Sequence, residues 1–191
     1  MIILGVDPGT LVTGFAVIEL HGGSLKMLDA GLVKNPAAMT MPLRLKCIYD
    51  KLTAVIDEYH PDEFAIETAF YGKNIQSTLK IGHARGVCML SAANSLLPTS
   101  EYAPREVKRA VTGNGNASKQ QVRFMVASIL QLKHIPKVLD VSDAMAVAIC
   151  HAQRANGAVR LAKRTASRSR GGRSAWAEFI RTNPHRVMSK Q

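Results

Sequence analysis

Four carboxylates stand where chemistry is expected of them. Asp7 closes the apolar run Ile2-Ile3-Leu4-Gly5-Val6, Glu67 closes Phe64-Ala65-Ile66, and Asp140 and Asp143 lie three apart where a helix should begin. An acid at the end of a buried strand loses hydration and needs a cation to share it. Several acids meeting at one sheet edge suit hard divalent metals, which take oxygen ligands. Left alone they repel, and some of their pKa values rise. Two Mg²⁺ ions about 3.5 to 4 Å apart relieve that repulsion, activate a water for in-line attack on phosphorus and stabilise the departing 3′ oxygen.

Each acid also has a plainer reading. Asp7-Pro8-Gly9-Thr10 is a turn sequence, with Pro8 suited to a strand end and Gly9 open to positive φ. Glu67 can be an exposed strand end before the loop Thr68 to Lys73. Asp140 can cap a helix with Asp143 at its third position, a carboxylate form of the capping box that also favours the helix dipole. Residues three apart equally share one helical face and can reach one metal centre, so the two roles are compatible. Parallel neighbouring strands would bring Asp7 and Glu67 to the same end of the sheet.

The charge falls where such a site would use it. The net charge is +11, and residues 154–191 hold ten Lys and Arg against Glu178 alone. Residues 105–137 hold seven basic residues and one acid. An acidic site beside a basic segment suits metal in one place and a phosphate grip next to it; solvated helix faces are the alternative. Lys108 and Lys119 are candidates to contact phosphate, with Arg105 beside them. Phe70 and Tyr71, with Lys73 following, would form an aromatic tip that stacks on or wedges between bases, unless the pair packs inward.

The elements that must hold these residues are readable from periodicity. Segments 1–8, 13–20 and 24–33 read as a three-strand meander, with His21-Gly22-Gly23 as a turn. A helix follows over 43–59, where Ile48, Leu52, Val55, Ile56 and Tyr59 keep helical spacing and Pro61 ends the run. Residues 62–67 form a short strand. A long helix is predicted over 74–96, with Leu79, Val87 and Leu90 apolar. Gly82 and Gly86, four apart on it, imply close approach of another backbone, within the fold or across a dimer. Thr99 to Tyr102 is a strand, 105–111 and 118–131 are basic helices, and 140–155 is the last helix. The fold class is α/β, with a domain over 1–156 and a basic tail over 157–191. In the tail, Lys163 to Arg173 has little to bury and is expected to be disordered when free. Trp176, Phe179 and Ile180 form a short apolar stripe beyond it.

Apolar residues make up 47% of 191, enough for one core, and no run approaches the roughly 18 apolar residues of a membrane span. The N-terminus lacks the basic start and apolar centre of a signal peptide and reads as a strand. A cytoplasmic protein is expected, with Cys47, Cys88 and Cys150 as buried thiols rather than a disulfide or zinc site.

In order and spacing, these motifs resemble the RuvC family of bacterial Holliday-junction endonucleases. The matching stretches are Ile3 to Thr10 with Thr13-Gly14, Ala65-Ile66-Glu67 with Phe70 and Lys73-Asn74, Leu79 to Val87, Tyr102 to Lys108, and Asp140 to Ala148. The resemblance implies an RNase H-like fold, a mixed central sheet flanked by helices. It implies a homodimer with two sites and paired, symmetric nicking of four-way junction DNA, dependent on Mg²⁺ or Mn²⁺, in recombination and repair. Asp7, Glu67, Asp140 and Asp143 match its catalytic acids, although Asp140 occupies a position that is His in some members. Phe70 matches its base-stacking aromatic, and Lys108 and Lys119 its basic residues. The RuvA and RuvB branch-migration proteins are implied partners. The tail looks longer and more basic than the family's usual.

Three other readings remain at this stage. An actin-like sugar kinase or chaperone ATPase also opens on a strand, an Asp and a Gly-Thr turn, but it needs a second lobe and a second phosphate loop. An RNase H-like nuclease on structured RNA would use the same acids. A non-catalytic junction binder would have no use for them.

Overall fold

The computed structural model describes residues 1–68, 75–136 and 138–157. The chain divides into two units, Met1–Gln153 and Arg154–Gln191. The second lies almost wholly outside the described residues, as do the disorder expected for Lys163 to Arg173 and the stripe at Trp176.

The alternation of the first strand dictates the layers. In β1 (Ile2–Asp7) Leu4 and Val6 face one side of the sheet, and Ile3, Gly5 and Asp7 face the other. Because both faces are covered, both sets are buried. β2 (Val12–His21) and β3 (Ser24–Lys34) return antiparallel as the predicted meander. β4 (Glu63–Glu67) pairs parallel to β1, and β5 (Thr99–Tyr102) pairs parallel to β4. The sheet therefore has the order β3-β2-β1-β4-β5.

One face packs on α1 (Met41–Tyr59) and α2 (Ile75–Asn94). Here Leu4, Val6, Phe15, Val17, Phe64 and Ile66 meet Ile48, Leu52, Val55 and Ile56 of α1 and Ala84, Cys88 and Ala92 of α2. α1 stops at Tyr59 because His60 turns left-handed (φ 45°), its N–H donating to the Ile56 carbonyl, and Pro61 follows. α2 settles a point that apolar spacing leaves open. Its buried face is made of small residues, Ala84, Cys88, Ser91 and Ala92, whereas Leu79 and Leu90 are exposed. Small side chains let the helix lie near the sheet, Val87 and Met89 pack partly against the core, and Leu79 and Leu90 point away. Cys88 is fully buried, and its thiol is pushed up to about 12 by desolvation. Cys47, Cys88 and Cys150 form no disulfide, and Cys47 is only partly buried.

The other face carries α3 (Pro104–Thr112), α4 (Lys119–Ile129) and α5 (residues 139–157). Pro104 opens α3 and Gly113, at φ 76°, closes it. Ser118 and Gln121 form a full capping box at the start of α4, so Lys119 is its first helical residue. α5 begins at residue 139, one residue before Asp140. The capping roles proposed for Asp140 and Asp143 are thus not adopted; both lie inside the first turns.

α5 touches the sheet with nothing between. A Cβ added to Gly5 would stand 2.5 Å from the Ala144 carbonyl oxygen, and one added to Gly14 would stand 2.1 Å from that of Asp140. Glycine is required at both places by space. The same holds at Gly9, where a Cβ would meet the Val12 carbonyl oxygen at 2.2 Å. Gly9 does not adopt the positive φ expected of it; close packing of the turn is what demands it.

Candidate active site

Parallel pairing places the first two acids. Val6 is in register with Ile66, so Asp7 and Glu67 follow as neighbours on the face turned toward α5. The turn after Asp7 is held by Thr13, whose hydroxyl donates to the Gly9 carbonyl at 2.6 Å and accepts from the Gly9 N–H at 3.3 Å. Thr68 donates its N–H to the Tyr102 carbonyl at 2.8 Å, which anchors the strand end that carries Glu67. α5, seated on Gly5 and Gly14, brings Asp143 to the same edge.

Asp7, Glu67 and Asp143 line one open cavity of about 270 Å³ together with Lys108, Lys119 and the apolar walls Pro104, Val107, Val122 and Ala146. Asp140 is not in that lining, but its charge acts on Asp7. Arg105 is exposed outside the lining, with its side chain against Gly115. Phe70, Tyr71 and Lys73 lie outside the described residues. The walls were not singled out from sequence; the signal was available in α3, where Val107 and Val111 alternate with Arg105, Lys108 and Arg109 at helical spacing.

The electrostatics are those of crowded acids. Asp7 is pushed up to about 8, first by desolvation and then by the charges of Glu67, Asp143 and Asp140. Its side chain hydrogen-bonds to Glu67, which is itself raised above the ordinary carboxylate range, mainly by desolvation. The pair thus retains a proton at neutral pH when no cation is present. Lys108 and Lys119 oppose that rise at Glu67. Lys119 donates to Asp143 Oδ2 at 2.9 Å, and this bond raises the lysine's own pKa.

The donor set fits a hard divalent metal: desolvated carboxylates only, mutually repelling, at the mouth of an open cavity. Among the described residues, no three His, Cys, Asp or Glu side chains are gathered tightly enough to hold an ion as they stand. The reason is visible, since Asp7 and Glu67 hydrogen-bond to each other while Asp143 is turned to Lys119. A shared proton and an ammonium occupy the roles that metal charge would take.

The fold and its acidic edge define a class of protein, the RNase H-like nucleases. Comparison with known proteins narrows it. The profile of the family "Crossover junction endodeoxyribonuclease RuvC" matches residues 3–151. A crossover junction endodeoxyribonuclease RuvC from Chlorobium phaeovibrioides is 46% identical over 189 residues, 98% of this chain and 100% of that protein. One from Desulforamulus reducens is 50% identical over 153 residues, 80% of this chain and 94% of its own length. The solved structure of Thermus thermophilus RuvC in complex with Holliday junction substrate superposes with a TM-score of 0.77 at 31% identity, covering 81% of this chain and 94% of that one. The chain belongs to the RuvC family of crossover junction endodeoxyribonucleases, whose members are metal-dependent nucleases. The tail, expected to exceed the family's usual length, is not peculiar to this chain, because the Chlorobium relative is matched through it.

Proposed function

We propose that this protein resolves Holliday junctions by paired, symmetric hydrolysis of phosphodiester bonds, with Asp7, Glu67, Asp140 and Asp143 as its catalytic and metal-holding acids. The observation that carries the reading is the cavity into which β1, β4 and α5 each deliver a carboxylate beside two lysines. Two Mg²⁺ ions per subunit, replaceable by Mn²⁺, would supply an activated water and charge stabilisation at the departing 3′ oxygen. The chain's own residues do the rest. Asp7, Glu67 and Asp143 would hold the metal once Asp7 and Glu67 had lost their shared proton and Asp143 its bond to Lys119, and Lys119 would then join Lys108 in gripping phosphate. Pro104, Val107 and Val122 limit water at the back of the cavity.

Symmetric nicking needs two sites, and α2 suggests how they are joined. Ile75, Leu79 and Leu90 are 75%, 59% and 51% exposed and lie along one stripe with Gly82 and Gly86. A Cβ added to either glycine would meet nothing within 4 Å, so the close approach predicted for them is not made within the described residues. We assign this stripe to a homodimer contact. Phe70 and Tyr71 are proposed to stack on bases, Lys73 and Arg105 to contact the backbone, and the basic residues after 157 to add nonspecific affinity. RuvA and RuvB are the proposed partners and the cytoplasm the proposed location. No helix among the described residues is long and apolar enough to cross a membrane.

The test is a labelled mobile four-way junction incubated with Mg²⁺ and either the wild type or Asp7→Asn. The wild type should make symmetric paired nicks, and the variant should bind without cutting. Junction binding without cleavage by both proteins would mean an architectural binder, and preferential cutting of structured RNA would favour the RNA-processing alternative.

A further inference from the structure

Away from the cavity, α5 is fastened to the sheet by a polar cluster that none of the chemistry above uses, buried at His151 and Tyr102 and partly exposed at Glu63. His151 is 4% exposed and Tyr102 is 1% exposed. The imidazole Nδ1 lies 2.7 Å from the Tyr102 hydroxyl and its Nε2 lies 2.6 Å from Glu63 Oε2. The two rings meet edge to face, with centroids 5.7 Å apart. A neutral imidazole with its proton on Nε2 satisfies all three groups, because it donates to the carboxylate while Nδ1 accepts from the phenol.

The partners of His151 are placed with respect to the acids. Glu63, Ala65 and Glu67 share one face of β4, so Glu63 and Glu67 stand about 13 Å apart along the strand. On α5, Asp143 and His151 are separated by about 12 Å of helix rise. Strand and helix therefore meet at two matched rungs: Glu67 with Asp143 at the cavity, and Glu63 with His151 at the far end. Tyr102 ties the rungs together, since it is the register partner of Glu67 on β5 and its phenol reaches His151. Gly5 and Gly14 fix how closely α5 approaches the sheet, and Met145, Val147 and Ile149 pack into the shared core, but these apolar contacts carry no direction along the helix axis. The two bonds of His151 do point along fixed directions, to Tyr102 and to Glu63.

We propose that His151, held by Glu63 and Tyr102, is a positioning residue that sets the axial register of α5 and so the distance of Asp143, and Asp140 beside it, from Asp7 and Glu67. This rests on the metal-site reading above. A one-residue slide of α5 would move Asp143 by about 1.5 Å, and a misplacement of about 1 Å can cost roughly a hundredfold in rate.

The test compares the wild type with Tyr102→Phe, His151→Gln and His151→Leu. It uses Mn²⁺ binding followed by electron paramagnetic resonance, junction cleavage at saturating DNA, and thermal unfolding to confirm that each variant is folded. His151→Leu is expected to weaken Mn²⁺ binding about tenfold and to lower kcat by a similar factor, with KM for the junction unchanged. His151→Gln, which keeps an N–H toward Glu63, should recover most of both. Tyr102→Phe removes one oxygen and preserves the packed ring, so it keeps the test open if His151→Leu does not fold; it should fall between the two. Wild-type Mn²⁺ affinity and kcat in Tyr102→Phe and His151→Gln, with only the melting temperature lowered, would overturn the proposal and leave the cluster a plain stabilising contact. Equal losses in His151→Gln and His151→Leu would also overturn it, because the directional bond would then not matter. A wild type that neither binds Mn²⁺ nor cuts would instead overturn the metal-site reading, and this one with it.

Discussion

Helices α5 and α2 lie on opposite faces of the same sheet, and glycine means opposite things beside them. Under α5 the glycines belong to the strands, and the helix fills their space: the nearest atoms to an added Cβ are the backbone oxygens of Asp140 and Ala144. On α2 the glycines belong to the helix, and the space beside them is empty. One contact is closed and carries Asp140 and Asp143. The other is open and flanked by exposed Ile75, Leu79 and Leu90. Glycine in a sequence announces close approach; only the fold tells whether the approaching backbone is already present.

The closed contact should break hardest. Gly14→Val is expected to destabilise the protein by about 3 kcal/mol, at the top of the overpacking range, lowering the melting temperature by roughly 10 °C. A melting temperature within a degree of wild type would mean that α5 can ride up off β2 at little cost.

The acids packed against that contact make the second effect. Without metal, the folded state keeps a proton on Asp7 up to about pH 8, whereas the unfolded chain releases it near 3.8. Between those values the native state binds more protons, so stability falls as pH rises from about 4 to about 8. Glu67, also raised, acts in the same direction. Thermal melts in EDTA should show a decline of several degrees across that window. Mg²⁺ or Asp7→Asn should flatten it, and a flat profile in the untreated wild type would show that the acids are not in conflict.

The open contact should respond in mass, not stability. Gly86→Trp is expected to halve the molecular mass measured by light scattering while shifting the melting temperature little; an intact dimer would move the interface away from α2. The smallest effect sharpens the comparison most. In the Gly86→Trp background, Gly82→Ala should gain about 0.5 to 1 kcal/mol, because the added methyl meets only solvent and alanine favours helix. Destabilisation in denaturant titrations would mean that some part of the chain occupies that space after all.

Elements built on local periodicity were legible in the sequence. The meander, the α1 stripe from Ile48 to Tyr59, and the strand ends at Asp7 and Glu67 all fall where alternation and helical spacing put them. The parallel pairing of β1 with β4, inferred only as a condition, is what makes Asp7 and Glu67 neighbours. What stayed open depended on context beyond the motif. Leu79 and Leu90 were read as apolar without a side, because hydropathy does not distinguish a core from an exposed stripe. For Asp140 and Asp143 a cap and a site role both stayed open, because a capping box and a pair of acids on one helical face share the same spacing. His151 gave no signal, since Tyr102 and Glu63 lie 49 and 88 residues away.

The crossover from β1 to β4 has a consequence for folding as well as for geometry. β1, β2 and β3 pair through short turns, whereas Val6 must find Ile66 across sixty residues of chain, and contacts of such separation form late. The edge bearing Asp7 should therefore be built early and remain without Glu67 and Asp143 until the last docking steps. Pulse-labelled hydrogen exchange would show this as protection in β2 preceding protection in β4, and simultaneous protection would contradict it. On the site proposed above, a partly folded copy emerging from the ribosome would lack two of its metal-holding acids, and a nuclease that cuts DNA strands would become competent only once it is complete.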